Sequence, residues 1–515
     1  MGEIAAAGAS AGPTLRHGIN ARLSALFWVV FGVGAALRLV GLNKGIWLDE
    51  YTSLVLARQA DFLAALRLDD HPPLYYVLLR LALAASDTEA AARLLSVAFG
   101  IPTLLLLMLW LRRYSLRAGI LGGLIGATAP ILLRFSQELR SYPILLFATV
   151  LAFYFALAVV TRPEEAHNYI GLTVAFVLAV MSQLVAPAVV VMVLVYMLAS
   201  GRDLRRARWT WLLAAILVPA AVFLFHYFVF SQRSFDGWWM PPLSLDLVSN
   251  VSRGLFDTDT YFAAVRQAQI AFPRIARPVD FALKMLLVLI VVGLPFGGWR
   301  KTAPLAAATA SYVGLVTLIT LFGRHIFWSR TLLPSLIPLV AFVAVQTTTI
   351  RVPEIRRATL AGVVGVCLVS GVTWAGYAGW RPVEPYGPLA QLIENAWRPN
   401  SLLLIYPSYI EGPTLFSASS LPRDSILSLA YDYDEPTIEA ELDERLAQVS
   451  ATPTPGAVFL LARDDAVTQA KGTRFRDLQA ELARRFGAPV EIDADGIISL
   501  RVYRALASSP PESLP

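Results

Sequence analysis

Two adjacent carboxylates follow the first long apolar run of the sequence. The run covers about residues 23–40, and Trp47-Leu48-Asp49-Glu50 comes soon after it. Carboxylates at the end of a membrane helix are costly unless they are solvated, paired or used in chemistry. A carboxylate so placed can act as a general base that takes the proton of a hydroxyl group. We therefore interpret Asp49 as the candidate catalytic carboxylate, with Glu50 as its neighbour.

Further polar clusters interrupt the apolar sequence. One is Asp69-Asp70-His71-Pro72-Pro73, and another is Ser136-Gln137-Glu138-Leu139-Arg140-Ser141-Tyr142. Arg324 and His325 come shortly before Arg330. Arg140 and Arg330 stand where later apolar runs begin, and guanidinium groups bind phosphate strongly. These two arginines are therefore candidate phosphate ligands.

Each of these residues also has a structural interpretation. Asp49 could be the N-cap of a helix that starts near Tyr51. Arg140 could pair with Glu138 or extend to the membrane interface. His71 is better explained as a residue at a helix start, bonded to a neighbour, than as a metal ligand, because a lone histidine among aspartates is weak metal evidence. The sequence supports no metal or other cofactor, and it leaves the use of a divalent metal open.

Composition places the chain in a membrane. It is 56% hydrophobic and only 16% charged, whereas soluble proteins are roughly 25% charged. The single cysteine, Cys367, excludes an intrachain disulfide. The net charge of +6 does not indicate a nucleic-acid partner, because the basic residues cluster in short loops between apolar runs. The expected partner is the lipid bilayer.

About eleven apolar runs have spanning length. They lie near residues 23–40, 91–111, 118–133, 142–160, 168–184, 186–200, 209–230, 281–297, 304–322, 331–349 and 358–379. The arginine-rich loops alternate along the chain with loops that are poor in arginine, so they all lie on one side of the membrane. Basic loops face the cytoplasm, which predicts a cytoplasmic N-terminus and an extracytoplasmic region after about Trp380. The protein is expected in the plasma (inner) membrane, with its first run retained. All the polar clusters then face the outer side, where we expect them to line one site.

The loops on the predicted outer side are unequal. In residues 41–90, Tyr51 to Arg67 reads as one short helix and Leu74 to Ala85 as a second. Residues 231–280 carry Trp238 and Trp239. An interfacial aromatic belt explains these two tryptophans somewhat better than a mobile wall over an active site.

After Trp380 the composition changes to that of a small α/β domain. Strand-like runs cover Ser401–Tyr406, Ala457–Ala462 and Ile497–Tyr503, with a helical pattern at about Arg474–Phe486. We therefore divide the chain into a transmembrane core (1–380), an extracytoplasmic α/β domain (381–507) and a disordered tail (508–515). The α/β domain carries no cluster like those of the loops, so it is expected to shape acceptor access without performing chemistry.

An outward-facing membrane enzyme is limited in the donors that it can use. Nucleotide-activated substrates are cytoplasmic, so an activated donor must arrive through the lipid, for example as a sugar on a polyprenyl phosphate. Transfer then needs a base for the acceptor proton and cations for the leaving phosphate. One carboxylate and a few arginines supply both.

The motifs resemble those of the GT-C class of membrane glycosyltransferases. Trp-x-Asp-Glu, His-Pro-Pro-Leu-Tyr-Tyr and Ser-Gln-Glu-x-Arg-x-Tyr occur in that order, and Arg330 begins an Arg-x-Leu-Leu-Pro sequence. The resemblance is to family 39-like enzymes, related to protein O-mannosyltransferases and lipid A aminoarabinose transferases, and covers roughly residues 20–350.

The resemblance implies a role for each residue that matches a motif. Asp49 would be the base and Glu50 its support, while Arg140 and Arg330 would contact the donor phosphate. His71, Glu138 and Tyr142, together with Arg324 and His325, would line the site. The implied reaction is an inverting transfer from a polyprenyl-phosphate sugar to a hydroxyl acceptor, namely a lipid, a polysaccharide or a protein.

Two rival hypotheses have different sequence signatures. A transporter or flippase of lipid-linked sugar predicts ionisable residues at mid-membrane and internal repeat symmetry, and neither is clear here. A non-catalytic envelope scaffold leaves the Asp49-Glu50 pair without a purpose.

Overall fold

The structure, a computed structural model, describes residues 13–69, 71–200, 208–232, 240–256, 273–429, 436–451, 456–463, 473–494 and 498–503. These residues form two compact units. The first unit holds the described residues through Asn43 and Leu56–Arg381. The second holds Lys44–Val55 and the described residues from Pro382 onward. The sequence assigned Lys44–Val55, with Asp49 and Glu50, to the membrane core, whereas the structure groups this segment with the C-terminal region.

Helices make up most of the described residues as far as residue 376. In order they are α1 (Pro13–Leu37), α2 (Leu48–Arg58), α3 (Phe62–Leu68), α4 (Leu74–Ala85), α5 (Glu89–Arg112), α6 (Leu116–Thr128), α7 (Pro130–Phe135), α8 (Tyr142–Thr161), α9 (Ala166–Val180), α10 (Ala186–Ala199), α11 (Trp209–Phe225), α12 (Leu245–Phe256), α13 (Pro273–Gly293), α14 (Trp299–Phe322), α15 (Ser329–Leu332), α16 (Leu336–Thr349) and α17 (Pro353–Gly376).

Every predicted apolar run coincides with one or two of these helices. Six helical segments among the described residues are long and apolar enough to cross a membrane, and shorter apolar helices of 10–17 residues occupy the other runs. The six are Glu89–Arg112, Tyr142–Thr161, Trp209–Phe230, Trp299–Phe322, Ser329–Thr349 and Pro353–Trp380. The prediction of a multi-pass helical membrane protein is confirmed.

The single helix predicted from Tyr51 to Arg67 is wrong. The structure has two helices, α2 and α3, separated by Gln59-Ala60-Asp61. Asp61 ends the continuous pattern because its carboxylate accepts the backbone N–H of Ala64 at 3.1 Å and caps α3. In the other long loop, Trp238 and Trp239 lie outside the described residues.

Two contacts fix the polar loop between α7 and α8. Gln137 Nε2 donates to the backbone carbonyls of Arg38 at 2.9 Å and of Val40 at 2.7 Å. Arg38 is 3% exposed and donates to the carbonyls of Gly34 and Gly126, each at 2.9 Å. Buried polar groups in a membrane protein must find such partners within the protein. The loop that carries Arg140 is thereby attached to the end of α1.

Small residues let α6 approach α5 closely. A Cβ atom at Gly122 would lie 2.1 Å from Leu111 Cδ1, and one at Gly123 would lie 2.6 Å from Met108 Cγ. Side chains at these two positions are therefore incompatible with the packing, as at other close helix contacts in membranes.

A five-stranded sheet forms the core of the second unit, with the strand order β2-β1-β3-β5-β4. The strands are β1 (Leu402–Tyr406), β2 (Ile426–Ser428), β3 (Val458–Arg463), β4 (Val490–Ala494) and β5 (Ile498–Val502). The neighbouring helices are α18 (Tyr386–Ala396), α19 (Glu411–Ser417), α20 (Pro436–Ala451) and α21 (Thr473–Phe486). Strand β1 is parallel to β2 and β3, while β5 is antiparallel to β3 and β4.

The sheet is covered on both faces, as expected for an α/β layer structure. Leu404 packs in one apolar cluster with residues of α20 and α21, and Leu403 packs in another with residues of α18. The predicted α/β domain is confirmed. Its three predicted strands correspond to β1, β3 and β5, while β2 and β4 escaped prediction. The predicted tail, residues 508–515, lies outside the described residues.

Candidate functional site

The first unit holds His71 between a carboxylate and a guanidinium group. His71 Nδ1 lies 3.2 Å from Asp69 Oδ1, and His71 Nε2 lies 3.4 Å from an Nη atom of Arg140. The same oxygen of Asp69 accepts the backbone N–H of His71 at 2.8 Å and the Tyr76 hydroxyl at 2.9 Å. Three residues of the predicted site region therefore form one connected chain, Asp69–His71–Arg140.

Local backbone structure positions this chain. His71 precedes Pro72-Pro73, and Pro73 occupies the N-cap of α4, where its fixed φ suits a helix start. The Leu74 N–H then reaches the carbonyl of Met181 at 3.4 Å. The His71 segment is thus held from both sides. The expectation that His71 bonds a neighbour near a helix start agrees with this geometry, but His71 also contacts Arg140.

The electrostatics of the cluster determine the state of His71. Burial lowers the pKa of His71, and the charges of Arg140 and Arg330 lower it further against the opposing effect of Asp69. The imidazole is therefore neutral at pH 7, with Nδ1–H donating to Asp69 and Nε2 accepting from Arg140. Burial alone would raise the pKa of Asp69, but the hydrogen bond from His71 and the charge of Arg140 bring it down to about 2.

Arg140 and Arg330 both act on this cluster. Arg140 is 7% exposed, and its backbone N–H is bonded to the Glu138 carbonyl at 2.8 Å. Arg330 lies in the short helix α15, half-buried, and its charge reaches His71. With Asp69 ionised and His71 neutral, the charges of Asp69, His71, Arg140 and Arg330 add up to one net positive charge. Such a cluster attracts an anion.

Glu138 and Tyr142 flank Arg140. Glu138 is 3% exposed, and its carboxylate lies 3.6 Å from Arg134 Nε, one helical turn earlier. Arg134 is thus a charged neighbour outside the predicted set of site residues, although its i, i+4 spacing from Glu138 could have indicated it. Tyr142 is buried at the start of α8, with its ring 5.0 Å from that of Phe135.

Arg324 and His325 follow the C-terminus of α14. His325 is half-buried, and its Nδ1 lies 3.3 Å from the carbonyl oxygen of Thr320. Donation to a last-turn carbonyl is a common way to satisfy a helix end. Arg324 is exposed. The structure thus gives His325 a helix-end contact, and the site-lining roles of both residues stay predictions.

In the second unit, Asp49 and Glu50 lie in the first turn of α2. Asp49 is half-buried and Glu50 is 1% exposed. The helix already begins at Leu48, so Asp49 is not its N-cap, which corrects that interpretation. The acidic first turn is favoured by the partial positive charge of the helix N-terminus.

A carboxylate far along the chain caps this helix. Glu384 Oε2 accepts the Leu48 N–H at 3.1 Å, and Glu384 Oε1 lies 2.7 Å from an Nη atom of Arg463. Glu384 is 4% exposed; burial raises its pKa, Arg463 opposes that effect, and the charge of Asp49 adds to it. Sequence reasoning missed Glu384, since no local spacing relates it to Asp49.

The described residues contain no group of three or more His, Cys, Asp or Glu side chains that could hold a metal ion. Asp70, one of the predicted acidic neighbours of His71, lies outside the described residues. The expectation that no metal takes part in catalysis stays a prediction.

Comparison with known proteins gives one family match and several similar folds. Residues 70–227 match the family described as dolichyl-phosphate-mannose-protein mannosyltransferase. ArnT from Cupriavidus metallidurans, solved bound to undecaprenyl phosphate, has a TM-score of 0.50 at 14% identity, and the match covers 96% of this chain and 99% of ArnT.

A second similar structure is the Archaeoglobus fulgidus oligosaccharyltransferase tethered with an acceptor peptide. Its TM-score is 0.50 at 11% identity, with 95% of this chain and 74% of that chain covered. None of the curated proteins compared with the chain matches it significantly. The chain therefore has a fold similar to those of ArnT and the oligosaccharyltransferase, and its residues 70–227 match the mannosyltransferase family.

Proposed function

We propose that the protein transfers a sugar from a polyprenyl-phosphate donor to a hydroxyl acceptor, with inversion at the anomeric carbon. In this proposal Arg140 and Arg330 hold the donor phosphate, Asp49 is the base and Glu50 supports it. The reaction takes place on the outer face of the plasma (inner) membrane, with the N-terminus in the cytoplasm and the C-terminal domain outside. No metal or other cofactor takes part.

The observation that carries the proposal is the positive cluster around neutral His71. Hydrogen bonds between ionised groups and phosphate oxygens are about twice as strong as neutral ones. Arg140 meets the Nε2 acceptor of His71, which orients its guanidinium group before any donor arrives. A preoriented cation stabilises charge that develops in the transition state without reorganising at that moment.

The reaction balances with these groups. Asp49 takes the proton of the acceptor hydroxyl, the acceptor oxygen forms a bond to the anomeric carbon, and the bond from that carbon to the phosphate oxygen breaks. The electron pair of the broken bond stays on the phosphate. Because the second pKa of a phosphate monoester is about 6, the leaving group needs little protonation at pH 7. A single displacement of this kind inverts the configuration.

The nature of the donor lipid is supported by two likenesses. The matched family is described by its use of dolichyl-phosphate mannose, and the similar ArnT structure was solved with undecaprenyl phosphate. Both are polyprenyl-type phosphates. The chain's many apolar helices supply a membrane setting for such a lipid.

Donor binding gives a direct test of the arginine roles. Undecaprenyl phosphate is the probe, and its affinity is measured for purified protein in phosphatidylcholine nanodiscs. Arg140→Ala and Arg330→Ala should each weaken binding by about 1.5–3 kcal/mol, because each removes a charge-assisted hydrogen bond. Lys at either position should restore binding only in part, since it loses the bidentate fork.

Arg162→Ala is the matched control. Arg162 follows the opposite end of α8 and its side chain is 72% exposed, so the variant should bind the probe like the unmodified protein. Equal affinity in the Arg140, Arg330 and Arg162 variants would assign both candidate arginines to structural roles.

A further inference from the structure

A cleft opens in the second unit beside the segment that carries Asp49. It has a volume of about 490 Å³, which lies within the range of known small-molecule sites. Its walls include Tyr51 from α2, Phe416 from α19, and the polar residues Ser408, Glu411 and Arg423. The chemistry described above uses none of these side chains.

Two aromatic rings form one wall of the cleft. The rings of Tyr51 and Phe416 meet edge to face at 6.0 Å, and Phe416 is 40% exposed. Gly412 makes room for the tyrosine, because a Cβ atom there would lie 2.2 Å from Tyr51 Cε1. The backbone of α19 thus supports the Tyr51 ring directly.

The polar groups complement this wall. Glu411 can accept hydrogen bonds, Arg423 can donate them, and Ser408 can do both. One acid and one base give the cleft no net charge, so it selects neither an anion nor a cation. A sugar combines hydroxyl groups that donate and accept with an apolar C–H face that packs on an aromatic ring.

We propose that this cleft binds a carbohydrate portion of the acceptor. The proposal rests on the function proposed above and narrows the acceptor to a glycan or glycan-bearing molecule. Tyr51 and Asp49 are two positions apart on α2, and residues so spaced do not face each other on a helix. The sugar in the cleft is therefore a unit remote from the reacting hydroxyl. It supplies binding energy that positions the acceptor.

Saturation-transfer NMR on the full-length protein tests the proposal without a transfer reaction. The protein is held in phosphatidylcholine nanodiscs, because maltoside detergents carry sugar headgroups. The probes are the methyl glycosides of mannose, glucose, galactose and N-acetylglucosamine. At least one should receive saturation from the protein. Phe416→Ala should weaken its binding about tenfold, as expected for the loss of roughly 60 Å² of apolar contact.

Two further variants and a control show whether a loss of glycoside binding comes from the cleft or from a general change in the protein. Gly412→Ala should displace the Tyr51 ring and thereby weaken binding of the same glycoside. Glu411→Gln should also weaken that binding, because it removes one charged hydrogen-bond acceptor. Val490→Ala is the control, since Val490 is 52% exposed on β4 and lies outside the cleft. It should bind the probe normally.

Three results would overturn the proposal. They are the absence of saturation on every glycoside, glycoside binding that persists unchanged in both Phe416→Ala and Gly412→Ala, and binding of an acetylated serine-containing pentapeptide in place of the sugars. Undecaprenyl phosphate binding by the unmodified protein, measured in the same nanodiscs, reports separately on the proposed transfer function.

Discussion

His71 lies between an anion and a cation, and only its neutral form suits both. Neutral imidazole donates from Nδ1 to Asp69 and accepts at Nε2 from Arg140. Protonation would turn Nε2 into a donor and place a positive charge against Arg140. The orientation of the proposed phosphate ligand therefore depends on an uncharged histidine.

Acidification should reveal this dependence in the stability of the fold. Burial and the charges of Arg140 and Arg330 lower the pKa of His71 below its ordinary 6.5. As the pH falls below 6.5, the unfolded chain takes up a proton that the folded chain refuses, so stability decreases. In thermal unfolding between pH 7 and pH 5, His71→Gln should show a smaller pH dependence than the unmodified protein.

His167→Gln serves as the control for that comparison, because the His167 side chain is 70% exposed. It should keep the pH dependence of the unmodified protein. Identical pH profiles for the unmodified protein and His71→Gln would mean that the pKa of His71 is the same in the folded and unfolded states, which contradicts the prediction. Asp69 adds a further loss only at lower pH, between 3.8 and about 2.

Substitution of Asp49 by Asn tests the proposed base. Asn keeps the size of Asp but cannot take the proton of the acceptor, and loss of a general base costs about 10²–10⁴ in rate. The variant should insert normally, bind undecaprenyl phosphate normally and transfer sugar at most about one hundredth as fast. Glu50→Gln should have a smaller effect. Near-full transfer by Asp49→Asn in purified membranes would move the search for the base to Glu50 or Glu138.

At the scale of elements, the start of α2 depends on residues distant in sequence. Its first N–H is bonded to Glu384, and Glu384 is paired with Arg463 on β3. The Arg463 side chain is 15% exposed and that of Glu384 is 3% exposed. Breaking a buried ion pair from one side leaves an uncompensated charge, which costs more than removing both partners.

A double-mutant cycle can measure this arrangement. Glu384→Gln and Arg463→Met should each destabilise the protein by about 3 kcal/mol, and the double variant by less than their sum. Because the first turn of α2 carries Asp49, Glu384→Gln should also lower the transfer rate. Chemical unfolding and transfer assays provide the two readouts.

Glu481→Gln is the matched control, because Glu481 pairs with Arg484 and Arg485 on the exposed surface of α21. Exposed pairs contribute at most about 1 kcal/mol. If the effects of Glu384→Gln and Arg463→Met on stability were additive and the transfer rate were unchanged, the two residues would not be energetically coupled and the pair would contribute no more than an exposed ion pair.

Elements with strong local signals were predictable and the others were not. The apolar runs located the spanning helices because a membrane helix must be apolar along its length. Strands β1 and β3 were found as short apolar runs, whereas β2 has three residues and β4 alternates Val490 and Ile492 with acidic residues. The motifs predicted that His71 and Arg140 share a site, but their direct contact was not predicted. The contact of Glu384 with α2 had no local signal in the sequence.

At the scale of the whole molecule, the proposed reaction requires a defined orientation. The arrangement of the arginine-rich loops predicts that the N-terminus lies in the cytoplasm and the C-terminus outside. A reporter that is active only outside the cytoplasm should therefore be active when fused after Pro515. The same reporter fused after Arg113, in a predicted cytoplasmic loop, should be silent. The reverse pattern would place Asp49 and Arg140 on the cytoplasmic side and contradict the proposed donor.

The contact between Glu384 and the start of α2 also sets an order of events during synthesis. Leu48 leaves the ribosome 336 residues ahead of Glu384. At about 5–20 residues per second, the interval is on the order of 20–70 s. During this interval the Leu48 N–H lacks the Glu384 carboxylate that accepts it in the folded protein. We therefore expect the first turn of α2, which carries the proposed base Asp49, to reach its final arrangement only after Glu384 and its partner Arg463 have been made.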